Sequence, residues 1–455
     1  MKETTIAAIS TAKASAGISV IRISGEDAIQ IAERVFTAKS NIRLSGKKGY
    51  TCALGCAHAD GEKIDECIAT VFRAPNSYTG ENVVELSCHG GLYVTNRVLR
   101  AVYDAGAEPA EAGEFTKRAF LNGKLDLIEA EAVMDIISAR SRGAVKAALS
   151  VKEGALSKRI DAVKAALLSK AAHLSAWADY PEEDIPEVEE DELNSALQDA
   201  LAELEGILKS YDNGKILRDG IDTAIVGKPN VGKSTLMNLL AGYDKSIVTS
   251  VAGTTRDVVE ESVSLDDLIL NLSDTAGIHH TEDIVEKIGV DKAKNRLNAS
   301  SLILCVFDGS QPLTGEDREL MEEIGDAPAI AILNKADLPQ AVNPKEVEEH
   351  FSAVISMSAK RSDGVDALIA KIKEICAVQD FDSAEALVYN ERQRNLTKKA
   401  FDSTREALTA LEIGMTFDAV TVSIEEAVAY LCELTGERVT DEVVDRVFHN
   451  FCVGK

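Results

Sequence analysis

Gly227-Lys228-Pro229-Asn230-Val231-Gly232-Lys233-Ser234 is the stretch whose residue types and spacing most directly imply chemistry. It lies between an apolar run at 221–226 and an apolar-periodic segment at 235–240, a strand–loop–helix context in which backbone N–H groups at a helix start wrap a phosphate chain. Gly227 and Gly232 let the backbone approach, Lys233 supplies a cation for the β- and γ-phosphates, and the Ser234 hydroxyl suits Mg²⁺. Three further segments follow in the order a guanine-nucleotide hydrolase needs. The run 268–274 ends in Asp274-Thr275-Ala276-Gly277, an acid for Mg²⁺ through water and a glycine N–H for the γ-phosphate. The run 329–333 ends in Asn334-Lys335-Ala336-Asp337, and the Asp337 carboxylate can accept from guanine N1–H and from the exocyclic amine, a donor pair adenine lacks. Residues 354–357 lead into Ser358-Ala359-Lys360, placed to back guanine O6. The first motif alone could be a chance match. Four in order, each at the carboxyl end of a predicted strand, point to a guanine-nucleotide-binding domain.

Positioning these motifs takes a larger chain. At 455 residues there is length for about three domains, and 45% hydrophobic residues can bury substantial cores. The net charge of −26 argues against nonspecific coating of nucleic acid, so any RNA role needs a local basic patch or a more basic partner. The eight cysteines form no CxxC, and Cys52/Cys56 is an isolated pair, a pattern suited to a reducing compartment. The start carries no secretory apolar region and no run spans a bilayer, so a cytoplasmic location is expected.

Residues 1–120 read as a small α+β domain, with strands at 5–9, 17–23, 68–72 and 83–86 and helices at 26–36 and 92–103. Composition favours an ordinary solvated turn for Asn76-Ser77-Tyr78-Thr79-Gly80-Glu81-Asn82. The sequence turns strongly helical from about 111 to 212, through 128–137, 144–156, 160–174 and 193–211, and the first part of a helical domain is expected at 121–217. The acidic, proline-bounded run 181–186, followed by the acidic 187–192, reads as a solvated break, with metal binding the lesser alternative. The nucleotide domain is expected at 218–379, closing with an amphipathic helix at 364–376. Helices return over 380–455, at 390–411, 423–434 and 443–448. A nucleotide domain flanked by helical blocks could be an insertion into one bundle, but periodicity does not say whether the blocks pack together.

Longer motifs carry a more specific likeness. Ile21-Arg22-Ile23-Ser24-Gly25, Ser77-Tyr78-Thr79-Gly80-Glu81, Gly113-Glu114-Phe115-Thr116, Arg118-Ala119-Phe120-Leu121-Asn122-Gly123-Lys124-Leu125-Asp126, Ala252-Gly253-Thr254-Thr255-Arg256-Asp257 and the terminal Phe451-Cys452-Val453-Gly454-Lys455 resemble the bacterial tRNA-modification GTPase family MnmE (TrmE) from end to end. The resemblance implies a multidomain α/β-plus-α fold: an N-terminal α+β folate-binding domain, a discontinuous helical domain, and a Ras-like P-loop GTPase domain inserted in it. It implies a homodimer that works with the flavoprotein MnmG (GidA) to place a carboxymethylaminomethyl group on C5 of the wobble uridine of certain tRNAs. The one-carbon unit would come from 5-formyl- or methylene-tetrahydrofolate.

Carried over residue by residue, the GTP/GDP set is Asn230, Val231, Gly232, Lys233, Ser234, Thr235, then Thr249, Ser250, Val251, Ala252, Gly253, Thr254, Thr255, then residues 274–277, 334–337 and 358–360 as above. Ser234 and Thr255 would hold Mg²⁺, and Asn230, Thr249, Val251 and Thr254 would hold K⁺. Ile278 stands where Ras-like enzymes carry a water-orienting glutamine, and no arginine is clearly placed as a finger. The resemblance points instead to Glu286, which otherwise reads as an exposed helical acid. Arg22, Glu81, Lys124 and Lys455 are the implied folate ligands. Cys452 has two readings, a thiolate nucleophile favoured by the nearby Lys455 ammonium or a small buried packing residue. If those four ligands share one site, the tail must fold back over the N-terminal domain, in the same subunit or a dimer mate.

The chain departs from the family at Ala12-Lys13-Ala14-Ser15-Ala16, where a Pro- and Gly-rich loop is usual, and at His279-His280, where an Arg-Glu pair is usual. Adjacent histidines make a poor metal cage and read as solvated switch residues. Cys88 and His89 alternate across a strand end and form no dyad. Two other classes compete. A ribosome-assembly GTPase acting as a switchable binding module wants a basic RNA-binding domain. A dynamin-like membrane GTPase wants a basic amphipathic helix or lipid anchor.

Overall fold

A computed structural model describes residues 4–40, 42–179, 189–243, 261–265, 268–274, 301–325, 327–351, 353–376, 388–449 and 451–455. The chain divides into two compact units, one of residues 1–134, 157–201 and 399–455, the other of 135–156 and 202–398.

In the first unit seven strands form one sheet in the order β3-β4-β5-β6-β2-β1-β7. They are β1 (Ile6–Ile9), β2 (Ile18–Ser24), β3 (Phe36–Ala38), β4 (Thr51–Ala59), β5 (Glu62–Phe72), β6 (Val83–His89) and β7 (Glu108–Pro109). Helices α1 (Ala28–Val35) and α2 (Leu92–Asp104) join its core through Ala32, Val35, Val98 and Val102. The period of two along β2 divides its side chains between the faces. Ile21 and Ile23 enter the helix-covered core, whereas Arg22 and Ser24 belong to the other face. On that side Ile6, Ala8, Ala110 and Phe115 make a smaller cluster against Tyr78.

The helical part of this unit begins with α3 (Glu114–Leu121) and α4 (Leu127–Ser138). It returns at the end of the chain with α13 (Phe417–Thr435) and α14 (Asp441–His449). Leu127 and Ala130 of α4 pack with Val444 and Phe448 of α14 and with Phe451, so the two blocks do share a core. In sequence between them come α6 (Ala155–Asp179) and α7 (Glu190–Asp219), of which residues 157–201 belong to this unit. The helix expected over 144–156 is two helices: α5 (Arg142–Lys152) ends, the chain turns through Gly154 at φ +85°, and α6 starts. Apolar spacing continues through the turn, which is why periodicity alone joins them.

The second unit holds a six-stranded sheet in the order β13-β12-β11-β8-β10-β9. Its strands are β8 (Ile221–Val226), β9 (Glu261–Leu265), β10 (Leu268–Asp274), β11 (Leu302–Asp308), β12 (Ala329–Asn334) and β13 (Ala353–Ser356). All neighbours are parallel except β9 and β10. β12 is buried along its whole length and β11 over all but its last residue, the continuous apolar reading of a parallel sheet covered on both sides. The helices interleaved with its strands are α8 (Lys233–Tyr243), α9 (Gly315–Ile324), α10 (Pro344–Glu348) and α11 (Val365–Ile375), and the unit also takes in the start of α12 (Glu391–Glu412). Because β8 sits between β10 and β11, the connections diverge at the carboxyl end of β8, where open α/β sheets place their ligand crevice. No helix among the described residues is long and apolar enough to cross a membrane.

Candidate functional site

The phosphate loop joins β8 to α8. Asn230 is exposed at φ +65°, a left-handed conformation that Asn tolerates. Gly232 stands at φ +105°, and a Cβ there would lie 2.2 Å from Asn334 Nδ2, so only glycine fits beside that amide. Asn334 is the clasp of the site. Its Nδ2 donates to the Val231 carbonyl at 2.8 Å and its Oδ1 accepts from the Ala359 amide at 3.0 Å. One buried side chain thereby joins the phosphate loop, β12 and the 358–360 loop. Lys233 Nζ donates to the carbonyls of Gly227 (2.6 Å) and Lys228 (2.9 Å), while Ser234 and Thr235 are exposed at the α8 start.

The loops after β12 and β13 are held as firmly. Ser358 Oγ donates to Asp337 Oδ1 at 2.7 Å, and that bond, with the nearby Arg361 and Lys360 charges, holds the Asp337 carboxyl below its ordinary range. Asp337 therefore stays an acceptor with its other oxygen toward Arg361, 3.9 Å away. Ala336 is exposed, its amide donating to the Met357 carbonyl, and Lys360 is exposed. Asp308, at the end of β11, is an addition to the expected set. Its Oδ2 pairs with Lys335 Nζ at 2.6 Å and its Oδ1 accepts from Ser310. Burial works to raise the Asp308 pKa, but the Lys335 and Ser310 bonds outweigh it and the group lies low. The signal for it was an acid closing an apolar run, the same signature that marks Asp274. Asp274 closes β10. Thr249, Ser250, Val251, Ala252, Gly253, Thr254, Thr255, Thr275, Ala276, Gly277, Ile278, His279, His280 and Glu286 lie outside the described residues.

A second corner forms in the other unit. Arg22 faces Glu85 across the β2–β6 pair, with Nε and Nη2 at 2.9 and 2.8 Å from Glu85 Oε1. Its guanidinium lies over the rings of Tyr78 (5.3 Å) and Phe115 (5.5 Å). The tail arrives here within the same chain. Val453 bridges to Ala112, Ser10 Oγ donates to the Gly454 carbonyl at 3.0 Å, and Arg22 Nη1 reaches that carbonyl at 3.5 Å. Gly454 stands at φ +98°, and a Cβ there would meet the Ile9 carbonyl at 2.2 Å. Lys455 is held below its ordinary pKa, first by burial and then by the Arg22 charge. Cys452 is exposed, which removes its reading as a buried packing residue.

Glu81 is already engaged: Ser24 Oγ donates to its Oε2 at 2.6 Å, and Arg118 Nη1 donates to its Oε1 at 3.1 Å. The segment 76–82 is not an ordinary solvated turn, because Thr79 is fully buried and bonded to Ser24, and Tyr78 OH meets Thr116 Oγ1 at 2.8 Å. Lys124 Nζ donates to the Pro75 carbonyl, and its Cγ lies beside Gly80. Arg118 and Glu85 are additions to the expected residues; both are charges embedded in the longer motifs or on a predicted strand. Cys88 is buried and His89 exposed, on opposite faces as the alternation predicts. Among the described residues no His/Cys/Asp/Glu group is arranged to hold a metal.

Two family models match the chain: "GTP-binding protein TrmE N-terminus" over residues 5–124 and "MnmE helical domain" over 127–452. The tRNA modification GTPase MnmE of Clostridioides difficile (strain 630) is 40% identical over 454 residues, 99% of each chain. That of Lactobacillus delbrueckii subsp. bulgaricus is 43% identical over 456 residues, covering 99% of this chain and 98% of that protein. Among solved structures, a GDP- and AlF4−-bound Era of Aquifex aeolicus is 27% identical with a TM-score of 0.30, covering 40% of this chain and 66% of that one. With a phosphate loop between β8 and α8 and this likeness along its whole length, the chain belongs to the MnmE (TrmE) family of tRNA modification GTPases.

Proposed function

We propose that the chain couples GTP hydrolysis to addition of a carboxymethylaminomethyl group at C5 of the wobble uridine of certain tRNAs, as a homodimer working with the flavoprotein MnmG. Residues 1–120 would form the folate-binding and dimerisation domain, 218–379 the GTPase domain, and 121–217 with 380–455 the helical domain. The observation that carries the folate part is the tail: Gly454 and Lys455 lie beside Arg22, although they come from opposite ends of the chain.

The residues present fit a tetrahydrofolate in charge. Arg22, paired with Glu85, and Lys455, next to the Gly454 carbonyl that Arg22 reaches, would supply cations for its glutamate carboxylates, and the Glu81 carboxylate offers acceptors for a pteridine N–H edge. Lys124 sits beside the Glu81 turn. The folate, 5-formyl- or methylene-tetrahydrofolate, would supply the one-carbon unit. Exposed Cys452 would stand near that unit as a nucleophile.

For the nucleotide, Lys233 and the amides at the α8 start would meet the phosphates, and Asp337 would accept from guanine. Ser234 with Thr255 would hold Mg²⁺, which neutralises phosphate charge when bound. Of the K⁺ set Asn230, Thr249, Val251 and Thr254, the described member is Asn230, exposed on the loop crest and thus open to a cation beside the phosphates. Glu286 would orient the attacking water. Hydrolysis should then run faster in K⁺ than in Na⁺ and rise in specific rate with protein concentration.

The test is deletion of residues 452–455, with folate titration and GTPase assay side by side. Folate binding should weaken and tRNA modification stop while hydrolysis survives; full folate affinity would exclude the tail from the site.

A further inference from the structure

We propose that Asp317 is a positioning residue for nucleotide binding, fixing the first half of the phosphate loop through Lys228. The Lys228 ammonium lies 2.7 Å from Asp317 Oδ2 and donates to Thr314 Oγ1 at 2.7 Å, across 86 residues of sequence. Asp317 is 4% exposed, in the first turn of α9. The same Oδ2 accepts from the Thr314 amide at 2.8 Å, which with the Asp317 amide donating to the Thr314 side chain makes the capping box of that helix, and also from the Thr314 hydroxyl at 2.8 Å.

A capping box satisfies its own backbone groups and needs no cation. The ammonium is therefore an extra partner, and it comes from the phosphate loop. α9 is a fixed post, because Leu320, Met321 and Ile324 pack into the core of the sheet. On the loop side, the main-chain carbonyl of Lys228, together with that of Gly227, holds the Lys233 ammonium. A continuous chain of contacts thus runs from the Asp317 carboxylate through the Lys228 side chain to its carbonyl and on to Lys233. With its charge met by Asp317, Lys228 contributes loop position rather than field at the phosphates. Preorganising a loop strengthens binding by lowering the ordering cost, for GDP and GTP alike.

The experiment uses the full chain with Lys228→Met, Asp317→Asn and the double variant, reading GDP and GTP affinity, steady-state hydrolysis and thermal unfolding. Each single change should weaken both nucleotides about tenfold, the scale of one charge-assisted hydrogen bond. KM should rise with kcat at saturating GTP preserved, the sign of lost uniform binding. The double variant should be no weaker than the weaker single one, and Lys228→Arg, whose guanidinium can still meet the carboxylate, should restore affinity. If Lys228 instead touched phosphate, Lys228→Met would weaken binding while Asp317→Asn left it unchanged or tighter, which overturns the proposal. Unchanged affinity with a lowered melting temperature would overturn it too, leaving Asp317 a helix cap only. Should Asp317→Asn fail to fold, Lys228→Met with unaltered affinity is sufficient to reject the idea.

Discussion

The nucleotide corner and the Arg22–Lys455 corner are built on opposite plans. At the nucleotide corner each strand delivers its chemistry within a few residues of its own carboxyl end, and Asn334 then stitches neighbouring loops together. At the other corner Arg22 donates to a carbonyl 432 residues away, and the cluster exists only because the tail is docked. The docking is done by apolar packing of Phe448 and Phe451 on α4 and by a glycine that lets the chain pass against Ile9. Local geometry makes the first corner tolerant of distant change. The second inherits every defect in the packing that brings the tail home.

The comparison is most sharply tested at Asp337. Asp337→Asn should weaken GTP roughly a hundredfold or more and admit xanthosine nucleotides, because a site built to accept two guanine donors keeps one acceptor and turns the other into an NH2 donor, which opposes the guanine amine and suits a 2-oxo group. Folate binding should be untouched, and nucleotide titrations with folate titrations as control decide the matter. A parallel loss of folate binding would mean that the corners are not independent.

Gly454→Val is the reciprocal break. The new Cβ would collide with the Ile9 carbonyl, in a backbone region strained for a β-branched residue by about 1–3 kcal/mol. The tail should lift, folate affinity should fall about tenfold or more, and GTP hydrolysis should stay within about twofold. Calorimetry with folate and a GTPase assay check both halves.

Lys455→Met is a smaller probe of the same corner. In the folded chain its ammonium is disfavoured, first by burial and then by Arg22, so its folded pKa lies below the unfolded value. The unfolded state then binds more protons through the alkaline window up to about 10.5, and stability due to this group rises with pH there. Removing the charge should leave the melting temperature at neutral pH unchanged or slightly higher while folate binding weakens several-fold. A clear drop in melting temperature would show that the lysine serves the fold instead of a ligand.

The smallest expected effect concerns Asp308. Its folded pKa is depressed, because bonds from Lys335 and Ser310 overcome burial. The stabilisation is present above the ordinary 3.8 and is lost as pH falls through the folded value. Asp308→Asn should therefore cost up to about 1 kcal/mol at pH 7 and flatten the acid limb of a urea-unfolding profile. An acid limb unchanged by the substitution would remove the pair from the stability of this corner.

The sequence by itself determined what depends on contiguous residues. Gly227–Ser234 reads as a phosphate loop because a strand, two glycines, a lysine and a hydroxyl stand at fixed spacing, and Asp337 is the expected guanine acceptor because its motif closes an apolar run. The periodic elements, from Ile21 and Ile23 facing one core to the helical pattern of α14, were legible for the same reason. Tertiary structure alone decided what depends on distance through space. That the two helical blocks share a core rests on side-chain packing of Leu127 with Phe448, which no local pattern encodes. That Thr79 is buried, and that Lys228 is tied to Asp317, follows from surfaces closing over polar side chains whose composition reads as solvated. A motif fixes which groups a residue can bond; only the fold fixes which of them arrive.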